Sequence, residues 1–151
     1  MLVSELLQKS RERIEKGWTQ SAFYRNQEGH PCPADEAVSY CLLGALRSTV
    51  KITYPSKDIV VSKDEWKRIM DSIEEDVRPL QGATRCLSQN LGVRDDGGIT
   101  EWNDTKGRTK EEVLAALDQA IAKAMEEEKA PPSVASTTID APAQTEVKDA
   151  D

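Results

Sequence analysis

Seven residues have the types and spacing to do chemistry: Trp18, Gln20 and Tyr24 in one polar stretch, and Trp102, Asn103, Asp104 and Arg108 in another. Each stretch sets an aromatic ring beside amide, carboxylate or guanidinium groups. That combination suits a pocket that stacks a planar ligand and fixes its polar edge. Arg108 adds a fork able to hold a carboxylate or a phosphate. The same residue types also serve structure: Trp102 can close a core, Asn103 and Asp104 can bond turn backbone, and Arg108 can pair with Asp104 or Glu112. A ligand site at these seven positions requires the two stretches to meet in space.

Other constellations are weaker. His30, Cys32, Cys41 and Cys86 are potential zinc ligands, but no Cys-x-x-Cys pair exists and Cys41 lies in the most apolar run of the chain, where a small buried thiol is expected. Asp95, Asp96, Glu101, Asn103 and Asp104 offer hard oxygens without the alternation of a calcium loop. No metal or other cofactor is therefore called for. His30 stands two residues from Cys32 and between Pro31 and the loop turn, a poor start for a nucleophile and base. Phosphate-loop, nucleophile-elbow and dinucleotide glycine signatures are absent.

Helices must position these residues. Leu2, Val3, Leu6, Leu7, Ile14 and Trp18 recur on helical steps and predict a first helix ending near Gly17. Trp18 to Pro33 loses that period and reads as a long polar loop. A second, central helix is expected from Ala34 to Thr49, with Asp35 and Glu36 at its dipole and Gly44 letting another backbone approach. Lys51 to Val61 is irregular, with a short hairpin near 52–61 as one option. Ser62 and Glu65 make a capping box that opens a third helix, carrying Trp66, Ile69, Met70, Ile73 and Val77 on one face. Pro79 marks a break or the first turn of a new helix, with Leu80, Ala83, Leu87 and Leu91 forming the next face up to Gly92. Arg94 to Gly107 reads as a second polar loop holding at most one helical turn. Thr109 and Glu112 cap the last helix, whose face is Val113, Leu114, Leu117, Ile121, Ala124 and Met125.

Composition bounds the function. The chain has 151 residues with 20 Lys or Arg against 27 Asp or Glu, a net charge of -7. From Ala130 onward four acids face one base, with Pro131-Pro132 and few apolar residues, so residues 130–151 are expected to be a disordered acidic tail behind a helical domain at 1–129. A body of that size can bury about two-thirds of its unfolded surface, enough for a core without metals or disulfides. Net acidity disfavours direct nucleic-acid binding through bulk positive charge. No run approaches the roughly 18 to 20 apolar residues of a membrane span, and Met1 to Glu5 lacks a secretory pattern, so a cytoplasmic protein with three free thiols is expected.

Three blocks then make the sequence familiar: Gly17-Trp18-x-Gln20-x-Ala22, Ala37-Val38-x-x-Cys41-x-x-Gly44-Ala45-Leu46, and Trp102-Asn103-Asp104 with Arg108-Thr109-x-x-Glu112-Val113-Leu114. Together they resemble a small family of bacterial and phage proteins known as the domain of unknown function numbered six-one-nine-seven. The blocks fall in the family's order across about residues 3 to 125. The resemblance implies a compact helical domain of bacterial or phage origin and supplies no activity. The chain departs from the family in a longer, more polar Lys51 to Lys63 segment and in Thr19, where the family commonly has a cysteine.

These readings converge on an all-α bundle of about five helices with two long polar loops. The function expected is non-enzymatic binding of a small molecule, a nucleotide or a host protein, as a phage accessory or anti-defence factor would do. The alternatives are a metal-assisted hydrolase using Asp95, Asp96, Asp104 or His30, and a structural protein that forms homo-oligomers through Trp66, Met70 and Ile73. Clusters such as Glu74-Glu75-Asp76 and Glu126 to Glu128 could imitate nucleic acid toward a basic host protein.

Overall fold

The computed structural model describes residues 1–52, 56 and 58–130. Five α-helices make up its body: α1 (Val3–Lys16), α2 (Leu42–Thr49), α3 (Lys63–Leu91), α4 (Asp96–Asp104) and α5 (Lys110–Lys129). A small antiparallel ribbon joins β1 (Tyr24–Arg25) to β2 (Ser39–Tyr40), with Tyr24 opposite Tyr40 and Arg25 opposite Ser39. The all-α expectation holds. The tail expected at 130–151 lies, apart from Ala130, outside the described residues, as does part of the 52–61 segment; its described residues carry no strand.

Helices α1 and α5 pack along each other in opposite directions, and polar pairs fix their alignment at both ends. The Ser4 hydroxyl donates to Glu128 Oε1 at 2.6 Å, Arg11 forks onto Asp118 at 2.5 and 3.3 Å, and Lys110 Nζ reaches the Glu15 carbonyl. Glu128 also accepts from the Ser4 backbone N–H at 3.1 Å, placing an anion at the positive end of α1. Between the helices, Leu6, Leu7 and Ile14 meet Val113, Leu117, Ala120 and Ala124, all essentially without solvent exposure. Burying a leucine or valine contributes about 1.5–3 kcal/mol, so this seam is the main apolar support of the fold. The capping boxes at Ser62 with Glu65 and Thr109 with Glu112 form as the sequence predicts. The backbone and hydroxyl bonds from the caps hold both glutamates below the ordinary carboxylate range.

Three elements differ from expectation. The central helix begins at Leu42, not Ala34. Residues 34–36 form a single tight turn, and 37–41 are extended because their N–H groups are used by the preceding loop. Val38 N donates to Arg25 O at 2.9 Å, Tyr40 N to Gly17 O at 3.0 Å and Cys41 N to Phe23 O at 3.0 Å. Three bonds to the preceding chain, at Gly17, Phe23 and Arg25, outweigh the weak helix preference of Val38-Ser39-Tyr40. Cys41 then caps α2, its sulfur accepting from Gly44 N at 3.2 Å.

Pro79 does not end α3; one helix of 29 residues runs through it. The apolar steps stay in phase across the proline, from Ile73 and Val77 to Leu80, Ala83 and Leu87, so both halves present the same stripe. A proline inside a helix costs about 3 kcal/mol relative to alanine, and its rigidity in the unfolded chain returns up to about 1 kcal/mol. Pro79→Ala is accordingly expected to stabilise the protein by about 2–3 kcal/mol, read as a rise in the urea midpoint at unchanged slope.

Lastly, the second polar loop is largely helix. Asp95 accepts from Gly98 N at 3.0 Å and caps α4, whose inner face is the fully buried pair Ile99 and Asn103. Gly97 and Gly98 hide this helix from a propensity reading, although a side chain at Gly98 would collide with Val93.

Candidate functional site

Loop Gly17–Cys41 wraps onto the carboxyl end of α4, and there six of the seven predicted residues meet. Asn103 is fully buried and uses its whole amide. Its Oδ1 accepts from Trp18 Nε1 at 2.8 Å and from Leu42 N at 3.0 Å; its Nδ2 donates to Thr19 O at 3.1 Å and to Asp104 Oδ1 at 2.9 Å. One side chain thus ties α4 to the loop and to the first turn of α2. Two donors and two acceptor positions are the full capacity of an asparagine amide.

The remaining members close the end of α4. The last carbonyls of a helix lack partners within it. Here Gln20 Nε2 donates to Asn103 O at 2.9 Å and Thr105 O at 3.1 Å, while Arg108 Nε donates to Trp102 O at 3.0 Å. The Arg108 guanidinium also lies over the Trp102 ring, 3.8 Å from its centroid, and reaches Glu112 at 3.3 Å. Asp104 Oδ1 takes a second bond from Ser21 N at 2.9 Å. That bond holds Ser21 at φ 64°, in the left-handed region that non-glycine residues seldom enter. Tyr24 stands apart from this junction, packed edge-on against Tyr40 with ring centroids 6.1 Å apart, and burial pushes its phenol up from the ordinary value.

These polar atoms are mostly spent on one another. Asp104 alone of the seven lines the adjoining cavity of about 240 Å³, together with Ser21, Ala22, Phe23, Cys41 and Thr100. Trp102 borders a separate groove with Arg94, Glu101 and Thr105. The sequence reading missed Phe23, which is 41% exposed at the cavity, and Arg25, which threads the loop by bonding Thr19 Oγ1, Gln20 O and Gly29 O. Arg25 shows no periodicity or motif that could have singled it out. Burial holds the Cys41 thiol above its ordinary value, against the pull of two backbone N–H groups.

The acids invoked for a hydrolase are divided between the two ends of α4, Asp95 and Asp96 at its start and Asp104 at its last residue. Asp95 caps α4, Asp96 pairs with Arg47 at 3.1 Å, and Asp104 belongs to the loop junction. Among the described residues no three His, Cys, Asp or Glu side chains are grouped so as to hold a metal ion. On α3, Trp66 is 49% exposed while Met70 and Ile73 are half-buried. No described helix is long and apolar enough to cross a membrane.

The fold and the junction together define a small helical domain whose polar loop is locked onto a helix end. The chain belongs to a family of unknown function (DUF6197), whose model matches residues 1–123. The matched span covers α1 to α4 and most of α5, so every residue of the junction lies within it. No curated protein and no solved structure matches the chain significantly.

Proposed function

We propose that this chain is a non-enzymatic binding protein whose ligand site is the cavity beside the locked loop, and that the ligand is a small amine with an apolar body. The observation that carries the reading is Asp104. Its Oδ1 holds Ser21 and Asn103, while Oδ2 has no hydrogen-bond partner among the described residues, and the residue lines a cavity otherwise walled by Phe23, Ala22, Cys41 and two hydroxyl side chains. A single anionic anchor in a partly apolar recess is complementary to an ammonium group followed by hydrocarbon. The cavity volume suits a fragment-sized molecule or one basic side chain of a partner protein. An accessory or anti-defence role, expected from the likeness to bacterial and phage proteins, would be exercised through this recess.

The test is a ligand-observed NMR screen of small aliphatic and aromatic amines against the full chain. Asp104→Asn keeps Oδ1 as acceptor for Ser21 and Asn103 and removes only the charge, so it is expected to fold normally. It should weaken amine binding by about tenfold or more, the scale of a lost charge-assisted hydrogen bond. An absence of amine binding, or equal binding by wild type, Asp104→Asn and Phe23→Ala, would overturn the reading.

A further inference from the structure

Toward the amino end of α4 lies a second recess, lined from α2, α3 and the α3–α4 connection. It measures about 390 Å³ and brings Arg47, Arg85 and Arg94 together with Gln81, Thr84 and Ser88. Two acids, Asp95 and Asp96, also border it. Each uses one carboxylate oxygen, Asp95 Oδ1 for the Gly98 N–H that starts α4 and Asp96 Oδ2 for Arg47, so the recess sets three guanidinium groups against two carboxylates. Arg47 is held further by the Phe23 ring, 5.3 Å from its guanidinium carbon. Arg85 and Arg94 form no ion pair among the described residues, although acids outnumber bases 27 to 20 in the chain. Two unpaired guanidinium groups on the walls of one recess repel each other weakly, and an anion between them removes that repulsion while using their planar forks.

We infer that this recess binds a small molecule carrying a phosphate or diphosphate group. Guanidinium forks match phosphate oxygens two at a time, and the Thr84 hydroxyl and the Gln81 amide supply neutral donors of the kind that orient a sugar or an ester, while the Ser88 hydroxyl donates to the Arg85 carbonyl at 3.0 Å. The volume lies within the range that encloses a compact organic ligand. The inference is independent of the amine cavity. The two share only the Phe23 and Arg47 neighbourhood, and they call for ligands of opposite charge.

The experiment is isothermal titration of the full chain with pyrophosphate and, in parallel, with citrate at matched ionic strength. The expected result is saturable binding of one pyrophosphate per chain, tighter than citrate. It should be weakened about tenfold or more by Arg85→Ala or Arg94→Ala. Both are exposed side chains without a structural hydrogen bond, so an unchanged melting temperature will show that the variants fold. Arg78→Ala, on the outer face of α3 and paired with Glu74, should bind as wild type. Lack of saturable binding, an equal loss in Arg78→Ala, or citrate binding as tightly as pyrophosphate would each overturn the assignment.

Discussion

Asn103→Ala is expected to cost about 3–5 kcal/mol, a large share of the roughly 5–15 kcal/mol that holds a domain of this size together. Truncation leaves the Trp18 indole N–H, the Leu42 N–H and the Thr19 carbonyl without their partner, and Asn103 itself has no solvent exposure through which water could replace it. Each unsatisfied buried polar group costs about 1–3 kcal/mol. A urea titration followed by tryptophan fluorescence reads the loss directly. Asn103→Asp separates hydrogen bonding from simple packing. The new carboxyl keeps an acceptor for Trp18 and Leu42, but it turns a second oxygen toward Thr19 O and Asp104 Oδ1. Burial and the neighbouring Asp104 would raise its pKa in the folded state above the unfolded value. A carboxyl with a raised folded pKa destabilises the fold most when ionised, so the deficit relative to wild type should shrink as the pH is lowered through that pKa. A deficit that stays constant between pH 7 and pH 5 would show that the amide's donors are not what the fold requires.

The same residue shows how far the sequence can be read. Trp18, Gln20, Asn103, Asp104 and Arg108 were legible as a set, because aromatic and polar side chains at loop positions imply partners that must be found. What they find is mostly each other. Gln20 and Arg108 satisfy the carbonyls at the end of α4, and that helix was itself concealed behind Gly97 and Gly98. With α4 read as a loop, its carbonyl end could not be foreseen as something needing a cap. The late start of α2 has a comparable origin. Nothing local forbids helix at Ala37 to Cys41; only the distant carbonyls of Gly17, Phe23 and Arg25 draw that segment into extended pairing. By contrast, the boundaries of α1, α5 and the start of α3 follow from periodicity and capping boxes. These are interactions within a few residues, and a single sequence records them fully.

The two recesses lie beyond such reading for a further reason. Phe23, Thr100 and Cys41 come from three separate segments, and so do Arg47, Arg85 and Arg94. No spacing rule joins them until α4 is placed. Once it is, its carboxyl end carries Asp104 toward one recess and its amino end carries Asp95 and Asp96 toward the other. A loop fixed by many internal bonds is a poor candidate for a moving catalytic element but a good wall for a recess, because a rigid site loses little conformational entropy when it binds.

Gly44→Ala should be the second most damaging change, although helix propensity alone favours it by about 1 kcal/mol. Its backbone conformation is ordinary helix, so the glycine is not required by dihedral angles. It is required by space, since a Cβ there would overlap the Phe23 carbonyl oxygen. That oxygen cannot simply retreat, because it accepts the Cys41 N–H at 3.0 Å, and the Tyr24 ring stands close on the same side. Relief must come from moving the loop off α2, which would break the Cys41 bond and disturb the cavity wall at Phe23. The expected cost is about 2–4 kcal/mol, in the range of overpacking combined with a lost buried hydrogen bond. Gly97→Ala supplies the contrast. It lies in the first turn of α4 with only Asp95 Oδ1 at 3.3 Å from the added methyl, and it should change stability by less than about 1 kcal/mol. If the two variants melt together, close approach of the loop backbone is not what the glycine in α2 provides. If Gly44→Ala alone falls and amine binding falls with it, the contact between α2 and the loop is what shapes the cavity.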